Sequence, residues 1–205
     1  MDVSDPNYVT VNFILNAKEN KTVAFGTGNH VKKLITTLQP NHNKTILTTQ
    51  YNNEIGICDN DLKFLSPQID LFIDQMIMVK HIDDYLFVKE GSQSFLKSKI
   101  YYEIANERLL FVTECRELMK EEELMIPVEI VKEAYFYIRK IVTEKYKLKC
   151  RLRMHEEGMP YVTENNNFVL DVEYDEILMS KIKNITGVVE TGIFETKEKT
   201  KIVRK

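Results

Sequence analysis

Short apolar runs alternate along the chain with stretches whose apolar residues recur at helical spacing, a layout that predicts an α/β protein built on a mainly parallel sheet. Residues 21–25 read as a buried strand that ends at Gly26-Thr27-Gly28. Val31, Leu34, Ile35 and Leu38 follow at helical spacing, and Pro40 stops that helix. The first unit is therefore strand, glycine turn, helix. Residues 44–49 and 69–73 read as two further buried strands, 94–107 as a helix and 108–113 as another strand. Residues 2–20 stay ambiguous, because 9–15 favours a strand by propensity but sits where a leading helix would be economical.

A boundary is expected over 119–127, where the acidic cluster at 120–123 precedes Met125-Ile126-Pro127. Beyond it Ile130, Val131, Ala134, Tyr135, Ile138, Ile141 and Val142 have helical spacing, and residues 145–153 alternate strictly between basic and apolar, a strand signature. Turns at 158–160 and 165–167, a strand at 168–174, a helix at 175–183 and a last apolar run at 188–194 complete the pattern. These elements predict a smaller α+β lid. The expected domains are 1–124, a lid at 125–194, and a basic tail at 195–205 that returns to the larger domain.

Composition narrows the class. At 205 residues the chain has room for one domain or a domain with a lid, and 43% hydrophobic with 29% charged residues is ordinary for a globular protein. No run approaches the ~20 apolar residues a membrane span requires, and the first residues lack the basic start and apolar stretch of a secretory signal. A cytoplasmic protein with no membrane partner is expected. Cys58, Cys115 and Cys150 are odd in number and far apart, which suits reduced packing residues better than disulfides or a zinc site. His30, His42, His81 and His155 show no metal-ligand spacing, so no metal is expected. Fifteen Asn against four Ala and seven Gly fits AT-rich coding, under which glycine and alanine drift first.

Between a strand and a helix, Gly26-Thr27-Gly28 can turn backbone N–H groups and a helix N-terminus towards an anion. It is neither a Walker A loop nor G-x-G-x-x-G, and a purely structural turn would read the same.

The wider context is more specific. Residues 23–30, Val-Ala-Phe-Gly-Thr-Gly-Asn-His, resemble the G-x-G-T-G-S-T loop of type A ribose-5-phosphate isomerases, and the rest of the chain follows that family in order. Residues 73–79 resemble its I-D-G-A-D-E-V segment, 88–100 its I-K-G-G-G-x-x-L-x-x-E-K-I segment and 126–130 its L-P-V-E-V. Residues 158–171 resemble G-x-P-x-x-T-D-N-G-N-x-I-x-D, and 185–194 resemble I-P-G-V-V-E-x-G-L-F.

The resemblance implies a Rossmann-like parallel-sheet domain with a ferredoxin-like α+β lid. It also implies interconversion of ribose 5-phosphate and ribulose 5-phosphate through an enediol, with no metal or cofactor. That chemistry uses a carboxylate base, an oxyanion-stabilising lysine and aspartates near the ring oxygen. Asp74 matches the first aspartate and Lys89 the lysine. Ile77 takes the place of the second aspartate and Ser98 that of the glutamate. Gly26, Thr27, Gly28, Asn29, His30 and Thr48 are the expected phosphate and sugar contacts. AT-rich drift does not remove acidic codons, so the lost carboxylates are informative. Removing a general base costs ~10²- to 10⁴-fold, and Glu103, about 140° round a helix from Ser98, should face away.

Net charge is −3, so no global positive field points to nucleic acid. Locally, the alternation puts Lys145, Lys147, Lys149, Arg151 and Arg153 on one strand face about 6.6 to 6.8 Å apart, comparable to phosphate spacing. Lys defence of an edge strand is the bland alternative. Residues 196–205 carry five basic groups, Lys199, Lys201, Arg204 and Lys205 among them, against Glu198. Together these features favour a catalytically impaired family member reused as an RNA-binding or ribosome-associated, dormancy-type factor. The alternatives are a divergent but active isomerase of the pentose phosphate pathway, or a regulator that senses sugar phosphates.

Overall fold

The computed structural model describes residues 22–37, 45–48, 68–81, 84–89, 95–117 and 124–204. They form a mixed parallel and antiparallel α/β fold divided into two compact units. The first holds residues through Met76 together with 97–114 and 196–205, and the second holds 77–96 and 115–195. Residues 2–20, Cys58, His42 and the acidic cluster at 120–123 lie outside the described residues.

In the first unit, β1 (Thr22–Phe25) pairs in parallel with β2 (Thr45–Thr48) and with the start of β3 (Ile69–His81). Alternation sends Val23 and Phe25 of β1 and Leu71 and Ile73 of β3 to one face. There they meet Val31, Leu34 and Ile35, which recur at helical spacing along α1 (Asn29–Thr37). Phe72, between Leu71 and Ile73, points to the opposite face and packs edge-on against Tyr101 and Tyr102 of α2 (Phe95–Ile104). The parallel strands are thus buried on both sides, as their nearly continuous apolar sequence demands.

The helix expected over 94–107 stops at Ile104, and β5 (Ala105–Glu117) begins at the next residue. Arg108 supplies the reason. Its Nε donates to Tyr102 O at 2.6 Å and its Nη2 to Glu103 O at 3.1 Å, taking up carbonyls of the last helical turn. The basic C-terminal segment, expected to return to the larger domain, clusters with the first unit, where 200–204 form a strand, β11 (Thr200–Arg204), parallel to β5, with Val203 against the core.

In the second unit, the end of β3 turns back antiparallel as β4 (Asp84–Val88), and β10 (Ile193–Phe194) adds to β4. A four-stranded antiparallel sheet has the order β7-β8-β6-β9, formed by β6 (Met125–Ile130), β7 (Cys150–Leu152), β8 (Phe168–Glu173) and β9 (Val188–Thr191). Between β6 and β7 run a 3₁₀ turn (Lys132–Ala134), α3 (Tyr135–Lys140) and a π turn (Ile141–Lys145). Between β8 and β9 run α4 (Glu176–Met179) and a 3₁₀ turn (Ile182–Asn184). The succession β-α-β-β-α-β is the ferredoxin-like arrangement. Ile126, Val128, Ile130, Leu170 and Val172 bury one face of the sheet against Ile138, Val142, Leu178 and Ile182.

β6 is missing from the sequence expectation, which places a domain boundary over 119–127. Pro127 is accommodated between two partner strands, and its carbonyl accepts from Gly192 N at 2.8 Å. The apolar run at 188–194 splits at Gly192 into β9 and β10, which is why 77–96, expected in the larger domain, cluster with the lid. Among the described residues no helix is long and apolar enough to cross a membrane.

Candidate active site

The carboxyl ends of β1 and β2 fall level with Ile73 of β3, Phe25 being in register with both Thr48 and Ile73. Gly26 and Asp74, which follow Phe25 and Ile73, therefore lie at the carboxyl edge of the parallel ladder, where open α/β sheets bind ligands. Gly26 N continues the ladder to Ile73 O at 2.8 Å. Asp74, next along β3, is fully buried, and its Oδ1 accepts from Thr27 N at 2.9 Å and from Gln75 N at 2.8 Å. Gly26 is glycine of necessity: a Cβ there would lie 2.1 Å from Asp74 Cγ.

Gly28 has φ +130° and its carbonyl accepts from Lys32 N at 2.8 Å, opening α1. A Cβ on Gly28 would meet the side chain of Gln75 at 2.6 Å. Gln75 Oε1 accepts from His30 N at 3.0 Å and contacts His30 Nδ1 at 3.1 Å, while the His30 ring stacks on Phe111. Asn29 is exposed, and Thr27, Gly28 and His30 are half-buried. Gln75 is not among the candidates picked from the sequence, although a signal was present: it occupies the glycine of the resembling I-D-G segment. Thr48 takes its place through its backbone alone, since its side chain is not described.

On α2, Ser98 is fully buried, and its Oγ has no hydrogen-bond partner among the described residues. Glu103 is half exposed and pairs with Lys197. In the second unit, Lys89 follows β4 with only 2% of its surface exposed, its backbone N donating to Gly192 O at 2.8 Å. Ile77 joins the apolar cluster with Val79, Val88 and Val128, so the place of the second aspartate has become core.

The row of basic residues is not the strand that alternation predicts. Of residues 145–153 only Cys150–Leu152 form a β-strand. The π turn reaches Lys145, Tyr146 N donates to Ile141 O at 3.2 Å, Leu148 N donates to Val142 O at 3.2 Å, and Lys147 has φ +59°. Tyr146 and Leu148 fold towards the lid core as the helix unwinds, so the apolar alternation records a helix end. Lys149 N donates to Glu173 Oε2 at 2.8 Å. Arg151 lies 3.8 Å from Asp171, and Arg153, half-buried, grips the same carboxylate with two nitrogens. The even spacing that argues for an RNA or ribosomal partner is therefore not formed. At the C-terminus Lys201 lies 3.8 Å from Glu107, and Lys199 has φ +58° just before β11. The Arg204 side chain and Lys205 lie outside the described residues.

Residues 45–205 match the family model for ribose 5-phosphate isomerase A (phosphoriboisomerase A). The ribose-5-phosphate isomerase of Dictyostelium discoideum is 29% identical over 196 residues, covering 86% of this chain and 83% of that protein. Ribose-5-phosphate isomerase A 1 of Oceanobacillus iheyensis is 31% identical over 163 residues, covering 76% and 70%. Among solved structures, ribose 5-phosphate isomerase A from Methanocaldococcus jannaschii superposes with a TM-score of 0.78 at 23% identity, covering 95% of this chain and 92% of that one. A D-ribose-5-phosphate isomerase in complex with phospho-erythronic acid gives 0.77 at 21%, covering 100% and 95%. At those identities the two structures speak for the fold.

Proposed function

The chain belongs to the ribose 5-phosphate isomerase A family, and from that premise we propose that it binds ribose 5-phosphate and interconverts it with ribulose 5-phosphate at a reduced rate. The observation that carries the reading is the seat of Asp74. Two backbone donors fix one carboxylate oxygen, and Gly26 is bare so that the carboxylate can lie against it. Among the described residues it is the one fully buried carboxylate of its unit. A structural turn alone would not need a buried acid there.

Aldose–ketose isomerisation moves a proton between neighbouring carbons and another between their oxygens, through an enediol. Asp74 supplies a carboxylate for that traffic, and Lys89 stands where the resembling motif has the lysine that steadies the developing oxyanion. Ser98 in place of the glutamate withdraws the family's base, because a hydroxyl does not take a proton at neutral pH without a base of its own. The relatives named above are isomerases, which favours the isomerase alternative over a ribosome-bound role. Ser98 also favours a second reading, retention of the sugar phosphate without turnover, since it replaces the base and leaves the glycine turn at Gly26–Gly28 in place.

A coupled isomerase assay separates the two. We expect wild-type turnover below the usual ~1 to 10³ s⁻¹, abolished by Asp74→Asn and raised roughly tenfold or more by Ser98→Glu. Binding without any turnover would support the second reading. Neither binding nor turnover would overturn both.

A further inference from the structure

Gln75 is a side chain for which the proton chemistry above has no use, and it covers the glycine turn that is to receive the phosphate. Its amide oxygen accepts from His30 N at 3.0 Å and contacts His30 Nδ1 at 3.1 Å. It also lies flat on Gly28: a Cβ there would sit 2.6 Å from Gln75 Oε1 and 2.7 Å from its Cβ and Cδ. The backbone N–H and a ring nitrogen of His30 thus converge on one neutral oxygen. The resembling I-D-G segment has glycine at this place, with nothing beyond the backbone to fill the space.

The first N–H groups of a helix lack carbonyl partners within it and carry the positive end of its dipole. An amide oxygen satisfies the His30 N–H without neutralising that charge. A phosphate does both, through stronger charge-assisted hydrogen bonds.

We propose that Gln75 is an intrachain competitor for the phosphate of the substrate, and so a residue that sets affinity for the phosphoryl group. Its amide caps α1 in the free protein and must swing away before a sugar phosphate seats on the turn. Each hydrogen bond surrendered is subtracted from the binding free energy, so the affinity of this chain is lower than the same turn would have with Gln75 absent. The inference rests on the sugar-phosphate reading of the site.

Calorimetric titration of the full chain with inorganic phosphate, D-ribose 5-phosphate and D-ribose tests it, alongside the isomerase assay. Gln75→Ala should tighten binding of both phosphorylated probes about tenfold. Gln75→Glu, close in shape and a favoured acidic residue at a helix start, should fold normally and weaken both by at least about tenfold. D-ribose should respond to neither variant. Phosphate affinities within about twofold of wild type in both variants, or no phosphate binding by any of the three proteins, overturn the proposal. If affinities shift as expected while no protein isomerises ribose 5-phosphate, the competitor stands and the isomerase reading falls. If turnover is present and KM is unmoved by either variant, the reverse holds.

Discussion

A buried polar group without a partner costs about 1–3 kcal/mol, and the backbone donors at Asp74 Oδ1 have no counterpart at Ser98 among the described residues. Asp74 Oδ1 is met by two backbone donors, whereas the Ser98 hydroxyl is buried without a hydrogen-bond partner among the described residues. Cysteines divide similarly. Burial pushes the Cys150 thiol from its ordinary 9.0 up to about 11, partly offset by Arg139, while Cys115 is exposed. At pH 8, iodoacetamide should label Cys115 well before Cys150, as read by peptide mass spectrometry; equal labelling would contradict the burial. A raised thiol favours the neutral form in the folded state. Its contribution to stability is therefore complete below pH 9.0 and lost as pH rises towards about 11. Lost glycines show the same logic: Asn166, standing where the resembling motif has glycine, has φ +63°, a conformation asparagine tolerates.

At the scale of elements, the lid depends on close approaches that only glycine permits. Gly187 has φ +93°, its carbonyl accepts from Val131 N at 2.9 Å, and a Cβ would fall 2.2 Å from Ala134 Cβ. Gly187→Ala should destabilise the protein by about 2–4 kcal/mol in urea unfolding, combining backbone strain with overpacking. Gly158→Ala is the control. With φ +81° but open space around it, it should cost only about 1–2 kcal/mol. Most elements are legible in the sequence because their period is unambiguous: β1, α1, β2 and β8 agree with it to within a residue or two. Three of the departures have local causes. Pro127 disguises β6, Arg108 ends α2 early, and the unwinding helix end at 145–149 imitates a strand's alternation.

For the whole molecule, the test is the C-terminus. A solvated basic tail could be removed without effect, but β11 pairs with β5 along five residues and brings Val203 to the core. Deleting 200–205 should lower Tm by about 5 °C or more in a calorimetric scan; an unchanged Tm would return the segment to a tail. Local pattern was enough for the α/β class, the strand, glycine turn and helix unit, and the family with its altered acids, because periodicity and side-chain chemistry are properties of neighbours in the chain. Only the tertiary structure decided that residues 77–96 fold with the lid, that the basic residues do not form one strand, that the C-terminus is a strand, and that Gln75 lies over Gly28. Each of those depends on contact between segments distant in sequence, where burial and hydrogen-bond satisfaction outweigh local preference.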